Sequence, residues 1–300
     1  MTFPLIPRDQ LIGLSFGTMR SLRRGRGTDV AGSRPYVTGD DMRAIDWASS
    51  ARFSSARQSD EFIVRERYAE ESPKVVLVCD RRPEMVGYAP PLPWLDKAAA
   101  MRRAAELVIQ STLLVGGFVG YLDYADGEAF WEPPRGGRQL SELWEQRLPS
   151  TTFSAPPDTL EHSLAFLAGR RRAVSAGSFL FVFSDFVPAA SASMWQTALD
   201  RRWDVIPIVI QDPIWEQSFP QASGIVLPLR DPRTGRGTSV RLTAREVAER
   251  REANEARLEN ILEDFRAFEL EPVLLSSSDP GEILTSFIGW ADGRKARRAA

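Results

Sequence analysis

The chain has few of the residues that ligate transition metals. Its 300 residues include one cysteine, Cys79, and one histidine, His162. A single thiol cannot form an internal disulfide, and these two side chains cannot supply the four ligands of a structural zinc site. We therefore expect neither a disulfide framework nor zinc chemistry. Because Cys79 lies inside an apolar run, we expect a buried hydrophobic side chain there and not a reactive thiol.

The chain also lacks a basic excess and a long apolar run. Lysine plus arginine number 38 against 40 acidic residues, a net charge of −2, whereas nucleic-acid-binding domains usually carry a basic excess. The longest apolar stretch, 107–120, is interrupted by Gln110 and three glycines, and it is too short to span a bilayer. Pro4, Pro7 and Asp9 interrupt the apolar start, which is not typical of a signal peptide. We expect a cytoplasmic protein without a membrane span and without nucleic acid as its partner.

Three short apolar runs predict strands that are buried on both faces of a sheet. The strands are predicted at 74–79, 178–183 and 204–210, and the helices between and around them at 95–115, 158–172 and 192–201. Strands that alternate with helices indicate right-handed crossovers and a mainly parallel sheet that is covered on both faces. The sequence therefore predicts a doubly wound α/β fold.

Further patterns predict the organisation of the rest of the chain. The glycines at 231–237 predict the turn of a β-hairpin. We interpret this hairpin as a ribbon added at the edge of the sheet. Thr243 and Glu246 have the spacing of a capping box at the start of a long helix. The predicted organisation is an N-terminal extension at 1–72, an α/β domain at 73–290 and a basic tail at 291–300.

Two of the predicted strands are followed at once by an aspartate, Asp80 and Asp185. In open parallel sheets the functional crevice lies beyond the carboxyl ends of the strands, where the strand order reverses. If the two strands are neighbours there, their carboxylates converge on one crevice. The alternative is that each aspartate only caps the helix that follows it.

An ordered motif precedes the α/β domain. Its residues are Arg34, Tyr36, Gly39, Asp40, Asp41, Arg43, Asp46, Trp47 and Arg52. The order Arg-x-Tyr-x-x-Gly-Asp-Asp-x-Arg-x-Ile-Asp-Trp resembles the hallmark of the bacterial domain-of-unknown-function family 58, and Val30 departs from it where phenylalanine is common. The alternating charges predict an ion-pair lattice that ties this segment to the domain, with Tyr36 and Trp47 as anchors. A partner-binding face is the alternative.

The resemblance implies a von Willebrand factor A-like fold, with a mainly parallel doubly wound sheet. In such domains the first strand ends in Asp-x-Ser-x-Ser, and a loop threonine and a second aspartate complete a divalent-cation site. Here Arg82 and Glu84 stand at the serine positions, and Asp158 stands at the threonine position, with Thr159 as the fallback. The resemblance thus implies a degenerate metal-ion-dependent adhesion site with the residues Asp80, Arg82, Glu84, Asp158 and Asp185.

The substituted residues allow two kinds of chemistry. The oxygens of Asp80, Glu84, Asp158 and Asp185 are numerous enough to bind Mg²⁺ or Ca²⁺. A guanidinium from Arg82, or from its neighbour Arg81, could instead pair with the carboxylates and take the electrostatic role of a cation. Four uncompensated acids would raise one another's pKa values. We therefore favour an internal salt-bridge cluster that requires no metal or other cofactor.

The resemblance also implies a function. Members of the family are generally thought to act beside a MoxR-type AAA+ ATPase, as adaptors in the assembly or maturation of protein complexes. On this basis we expect a non-enzymatic protein-interaction protein in which Arg82 presents a permanent cation to an acidic partner group. The alternative is a metal-dependent hydrolase that uses Asp80 and Asp185, although Arg82 stands where such phosphatases need a second acid.

Overall fold

A computed structural model describes residues 1–8, 14–37, 42–57, 62–86, 95–136 and 146–299. The strands are β1 (Leu14–Pro35), β2 (Ile63–Ser72), β3 (Lys74–Cys79), β4 (Phe118–Asp123), β5 (Phe130–Arg135), β6 (Phe179–Ser184), β7 (Asp204–Ile210), β8 (Val226–Arg230), β9 (Gly237–Arg241) and β10 (Val273–Leu275). The α-helices are α1 (Trp47–Arg57), α2 (Lys97–Leu114), α3 (Thr159–Ala168), α4 (Ala192–Asp200), α5 (Ala244–Ala267) and α6 (Pro280–Ala299).

The centre of the protein is a mostly parallel six-stranded sheet. Its order is β10-β7-β6-β3-β4-β5, and only β5 runs antiparallel to its neighbour. The chain moves outward from β3 through β4 to one edge and then from β6 through β7 to the other. The strand order therefore reverses between β3 and β6, which is where a doubly wound sheet opens a crevice.

Alternate side chains of the central strands fill two separate apolar cores. In β3, Val75 and Leu77 face the core that contains α2 and α6, whereas Val76 and Val78 face the core beneath α3, α4 and the end of α5. Because both faces are covered, every residue of the strand has an apolar environment and the strand reads as one continuous apolar run. The predicted mainly parallel α/β sheet is confirmed.

The two ends of the chain differ from the predicted organisation. Residues 1–8 belong to the domain core, since Phe3 is buried against Phe287 and Trp290. Residues 291–299 continue α6 and are not a separate tail. This last part of α6 is held against the domain by Arg294. Its side chain is buried and donates to Asp204 at 2.7 Å through each of its two terminal nitrogens.

The hairpin and the capping box occur, but the hairpin is not part of the central sheet. β8 and β9 form their own two-stranded antiparallel sheet. The side chain of Thr243 accepts a hydrogen bond from the backbone of Glu246, and Glu246 accepts one from the backbone of Thr243 at 2.7 Å. The interpretation of the hairpin as an edge ribbon is therefore wrong.

Within the described ranges, no helix has the length and apolar composition to cross a membrane.

Candidate functional site

The aspartates that follow β3 and β6 meet at the carboxyl end of the sheet. The two strands are parallel neighbours, with Cys79 paired to Phe183, and the backbone N–H of Asp80 donates to the carbonyl of Phe183 at 2.9 Å. Asp80 and Asp185 are both buried. The structure thus places the two carboxylates at the switch point, as the strand pattern predicts.

The side chain of Arg82 lies between the two carboxylates. Its Nε and Nη2 donate to Asp80 Oδ2 at 2.8 and 2.6 Å, and Nη2 also donates to Asp185 Oδ1 at 2.8 Å. Its Nη1 donates to the carbonyl of Val187 at 2.8 Å. The guanidinium therefore joins the ends of both strands and the loop that follows β6.

The remaining contacts of Asp80 also come from donors. Oδ2 accepts a hydrogen bond from the hydroxyl of Ser184 at 2.7 Å, and Oδ1 accepts one from the backbone of Arg82 at 2.9 Å. Burial raises the pKa of Asp80, and the Arg82 guanidinium opposes that rise. Burial alone would lower the pKa of Arg82, but the carboxylates of Asp80 and Asp185 outweigh it and raise that pKa. The donors around its oxygens favour the carboxylate form of Asp80.

Lys97, the first residue of α2, supplies a second buried cation. Its Nζ donates to Asp185 Oδ2 at 3.0 Å and to Glu216 Oε1 at 2.7 Å. Glu216 lies in the segment after β7, where its Oε2 accepts a hydrogen bond from the backbone of Asp212 at 2.8 Å. We call Asp80, Arg82, Lys97, Asp185 and Glu216 the crevice cluster; it holds three carboxylates and two cations.

Lys97 and Glu216 could not be identified from the sequence. The available signal was weak: Lys97 directly follows Asp96, the residue that caps α2, and a cation is unfavourable in the first turn of a helix. Such a lysine needs a carboxylate partner. That partner, Glu216, lies 119 positions away, so no local pattern identifies it.

Glu84 and Asp158 do not join the crevice cluster, contrary to the expectation. Glu84 is turned toward the β8–β9 hairpin, where Arg233 donates to its two oxygens at 2.6 and 3.0 Å. Asp158 precedes α3 without a side-chain capping bond, and its side chain is 57% exposed, 3.4 Å from His162. The assignment of these two residues to the degenerate metal site is therefore wrong, and the four expected acids do not converge.

Arg81 serves a different cluster from its neighbour. Its Nη1 donates to the carbonyl of Ser150 at 2.7 Å, and its Nη2 donates to the hydroxyl of Tyr121 and to the carbonyl of Arg147 at 2.9 Å. Asp123 lies 3.7 Å from its Nε. Of the two arginines after Asp80, only Arg82 compensates the crevice carboxylates; Arg81 fixes the loop at 147–150.

The single thiol next to the site is expected to be inert. Cys79 is buried, and burial raises its pKa to about 12. At pH 8 we expect the native protein to react with a disulfide reagent at least about a thousandfold more slowly than the urea-unfolded chain, because the thiolate is the reactive form. Stopped-flow labelling measures the rates for the native and the unfolded protein. Since the chain has no other cysteine, each rate is that of Cys79. Labelling of native protein at near the unfolded rate would contradict burial of β3.

The signature motif lies partly outside the described residues, which exclude Gly39, Asp40 and Asp41. Asp46 is buried, and its two oxygens accept hydrogen bonds from the backbone and the hydroxyl of Ser49 at the start of α1. Trp47 is 61% exposed and packs edge-on against Phe62. The expectation that Trp47 anchors the segment in the domain core is therefore wrong.

The other described residues of the motif lie on or near the surface. Tyr36 is half-buried and its backbone N–H donates to the carbonyl of Phe62 at 2.8 Å. Arg34 is half-buried, whereas Arg43 and Arg52 are exposed. The structure thus presents the arginines of this motif mainly at the protein surface.

Two solved structures from Bacteroides are similar to this chain at low sequence identity. The crystal structure of conserved hypothetical protein BatB from Bacteroides thetaiotaomicron is 14% identical, with a TM-score of 0.43, and the match covers 73% of this chain and 99% of that one. An aerotolerance-related membrane protein from Bacteroides fragilis, carrying multiple mutations to serines, is also 14% identical, with a TM-score of 0.37 and coverages of 65% and 99%. No curated protein matches the chain.

The match to a protein family is more extensive. The family described as "Protein of unknown function DUF58" matches residues 32–260, which is more than half of the chain and includes β3, β6 and the crevice cluster. The chain belongs to this DUF58 family.

Proposed function

We propose that this chain is a non-enzymatic interaction or adaptor protein of the cytoplasm that works with a MoxR-type AAA+ ATPase in the assembly or maturation of protein complexes. The proposal that the protein is not an enzyme rests on the position of Arg82 between Asp80 and Asp185. The ATPase partnership is supported by family membership and by the signature motif. Clients of the complex would be proteins, not nucleic acids.

We further propose that the fold is von Willebrand factor A-like. When the six central strands are renumbered by their order in the domain, their spatial order is 3-2-1-4-5-6, the doubly wound arrangement. The crevice cluster lies at its switch point, where the expected adhesion site would be. Both features support the proposal.

In this proposal Arg82 takes the electrostatic role of the divalent cation permanently. Two acids at one switch point need a positive charge between them, and the guanidinium supplies it with bidentate geometry. The side chain of Arg82 is only 3% exposed, so it cannot present its charge to a partner as first expected. Arg82 instead holds the ends of β3 and β6 together at the crevice. A partner has to dock on the surfaces around the crevice.

A metal-dependent hydrolase is the less favoured alternative. Such an enzyme needs an Asp80 oxygen that is free to attack a substrate or to bind a metal. Both oxygens of Asp80 already accept hydrogen bonds from Arg82, and one also accepts from Ser184. The carboxylate would first have to lose these partners.

The proposed partnership is tested with the MoxR-type ATPase of the same organism. Size-exclusion chromatography with light scattering is expected to show a complex with this chain that depends on ATP. Absence of a complex with ATP, with ADP and without nucleotide would overturn the adaptor assignment.

Two further measurements address the alternative. Calorimetric titration with Mg²⁺, Ca²⁺ and Mn²⁺ is expected to show no stoichiometric binding, and p-nitrophenyl phosphate with each metal is expected to hydrolyse at the rate seen in buffer. A faster hydrolysis that Asp80→Asn abolishes would instead establish the hydrolase.

A further inference from the structure

Apart from Arg233 at its turn, the β8–β9 hairpin packs against the rest of the protein through one face. On its inner face, Leu227 is buried and Val240 is half-buried, in a small apolar core with Trp215, Phe219 and Val247. This inner face holds the hairpin against the start of α5. Apart from Leu227 and Val240, all residues of the two strands are exposed.

The outer face of the hairpin combines aliphatic side chains with arginines. Residues that lie directly opposite in an antiparallel pair share a face, and Val226, Pro228 and Arg230 are opposite Arg241, Ser239 and Gly237 respectively. Val226 is 57% exposed. Gly237 and Ser239 are small, so the β9 side of this face forms a shallow trough.

Among the described residues, three of the four arginines of the hairpin have no acidic partner. Asp231 is the acid between Ile225 and Arg241, and it accepts hydrogen bonds from the turn, namely from the backbone of Arg233 at 2.8 Å and the hydroxyl of Thr234 at 2.7 Å. Arg233 is paired with Glu84. In the part of the chain that the structure describes, Arg230, Arg236 and Arg241 form no salt bridge, and all three are exposed. The hairpin is thus a basic surface on a protein of net charge −2.

The hairpin also offers a free strand edge. Its sheet has two strands among the described residues, so each strand has one unpaired edge. Pro228 removes a backbone donor from β8, as is common at an edge, whereas every residue of β9 has an N–H. An extended segment can therefore add beside β9 through main-chain hydrogen bonds.

We propose that the outer face of the β8–β9 hairpin binds an acidic, extended segment of a partner protein, which adds beside β9 and lays its alternate aliphatic side chains along the trough at Gly237 and Ser239. The inference rests on the proposed interaction function and assigns the surface for it. Acidic residues would pair with Arg230 and Arg241, which can engage carboxylates bidentately. The contact of Arg233 with Glu84 fixes the hairpin turn beside the short helical turn after β3, so the docked segment would lie near the crevice cluster.

The same residues argue against a membrane or a nucleic acid. The tip of the hairpin, 231–236, is polar and charged, and the aliphatic residues lie at its base, so the tip cannot insert into an apolar layer. Between Ile225 and Arg241 the sequence has no aromatic residue on which a base could stack.

The proposal is tested with a fluorescent ten-residue peptide that alternates glutamate with valine, and anisotropy is the measurement. Saturable binding that weakens with added salt is expected. Arg230→Glu and Arg241→Glu are each expected to weaken it by about tenfold, because a charge-assisted contact is replaced by repulsion. Arg171→Glu is the matched control: Arg171 is exposed and lies before β6, at the opposite end of the sheet, so this change is expected to leave binding within about twofold.

Several outcomes would overturn the proposal. They are no saturable binding up to about 1 mM peptide, equal weakening by Arg171→Glu, and equal binding of a lysine–valine peptide. Binding of phosphatidylserine vesicles or of single-stranded DNA through Arg230 and Arg241, without peptide binding, would also overturn it in favour of those partners. If the peptide fails but the ATPase complex forms, only the surface assignment is wrong; if the peptide binds and no ATPase complex forms, the surface stands without that partner.

Discussion

Replacing Arg82 by serine is expected to lower the free energy of unfolding by about 3–5 kcal/mol, because it leaves two buried carboxylates without the cation between them. Asp80 and Asp185 both accept hydrogen bonds from Nη2 of Arg82. Deleting the guanidinium removes those bonds and the positive charge together. Thermal and urea unfolding measure the loss, and for a domain of this size we expect a Tm lower by roughly 10 °C.

The same variant should acquire a response to divalent cations. The introduced hydroxyl, with the oxygens of Asp80, Ser184 and Asp185, leaves a set of hard oxygen ligands where the guanidinium was. Mg²⁺ or Ca²⁺ that binds only the folded state raises stability in proportion to the logarithm of its concentration. We therefore expect millimolar cation to raise the Tm of Arg82→Ser and to leave the wild-type Tm unchanged.

Arg82→Lys is the matched control for this experiment. It keeps the charge but loses the bidentate geometry, so a smaller destabilisation and no cation response are expected. If Arg82→Ser does not fold without metal, refolding it with and without Ca²⁺ gives the same information. Equal stabilisation of wild type and Arg82→Ser by cation would show that the guanidinium does not occupy the cation position.

The central strands could be predicted from the sequence because their environment is uniform. β3 and β7 begin and end where the apolar runs do, at 74–79 and 204–210. Burial on both faces requires an apolar residue at every position, so the run itself marks the strand. The convergence of Asp80 and Asp185 then follows from topology, since parallel neighbours end at the same edge of a sheet.

The direction of individual side chains could not be predicted in the same way. Arg81 and Arg82 are adjacent and alike, yet they enter separate clusters because the backbone after β3 turns them to different sides. Glu84 follows two residues later and turns toward a hairpin nearly 150 positions away. Motif spacing gives the place of a residue in the chain, whereas its partner depends on the tertiary fold.

The N-terminal ribbon of β1 and β2 is a further part of the fold that could not be predicted from the sequence. β1 covers Leu14–Pro35 and pairs with β2 through several shifts of register. Its sequence has no alternation of apolar and polar residues of the kind that marks a half-buried strand. The glycine- and arginine-rich sequence predicts only an N-terminal extension here, and pairing with β2 overrides that local preference.

Replacing Lys97 by methionine is expected to destabilise the protein by about 3–5 kcal/mol at pH 8, since Asp185 and Glu216 then lose a buried cationic partner. The effect should depend on pH. Burial raises the pKa of Glu216, and Lys97 opposes that rise. Without Lys97 the pKa of Glu216 in the folded protein moves further above its unfolded value.

The sign of the pH dependence follows from proton linkage. An acid whose pKa is higher in the folded state contributes stability that is fully present below the unfolded pKa and is lost as pH rises through the folded pKa. The difference in unfolding free energy between wild type and Lys97→Met is therefore expected to shrink from pH 8 to pH 5, in urea titrations at each pH. Glu216→Gln in the Lys97→Met background should recover part of the loss at pH 8, because the amide oxygen can still accept the backbone hydrogen bond of Asp212. A pH-independent difference, together with no recovery in the double variant, would show that Lys97 acts through packing and not as the second cation of the crevice cluster.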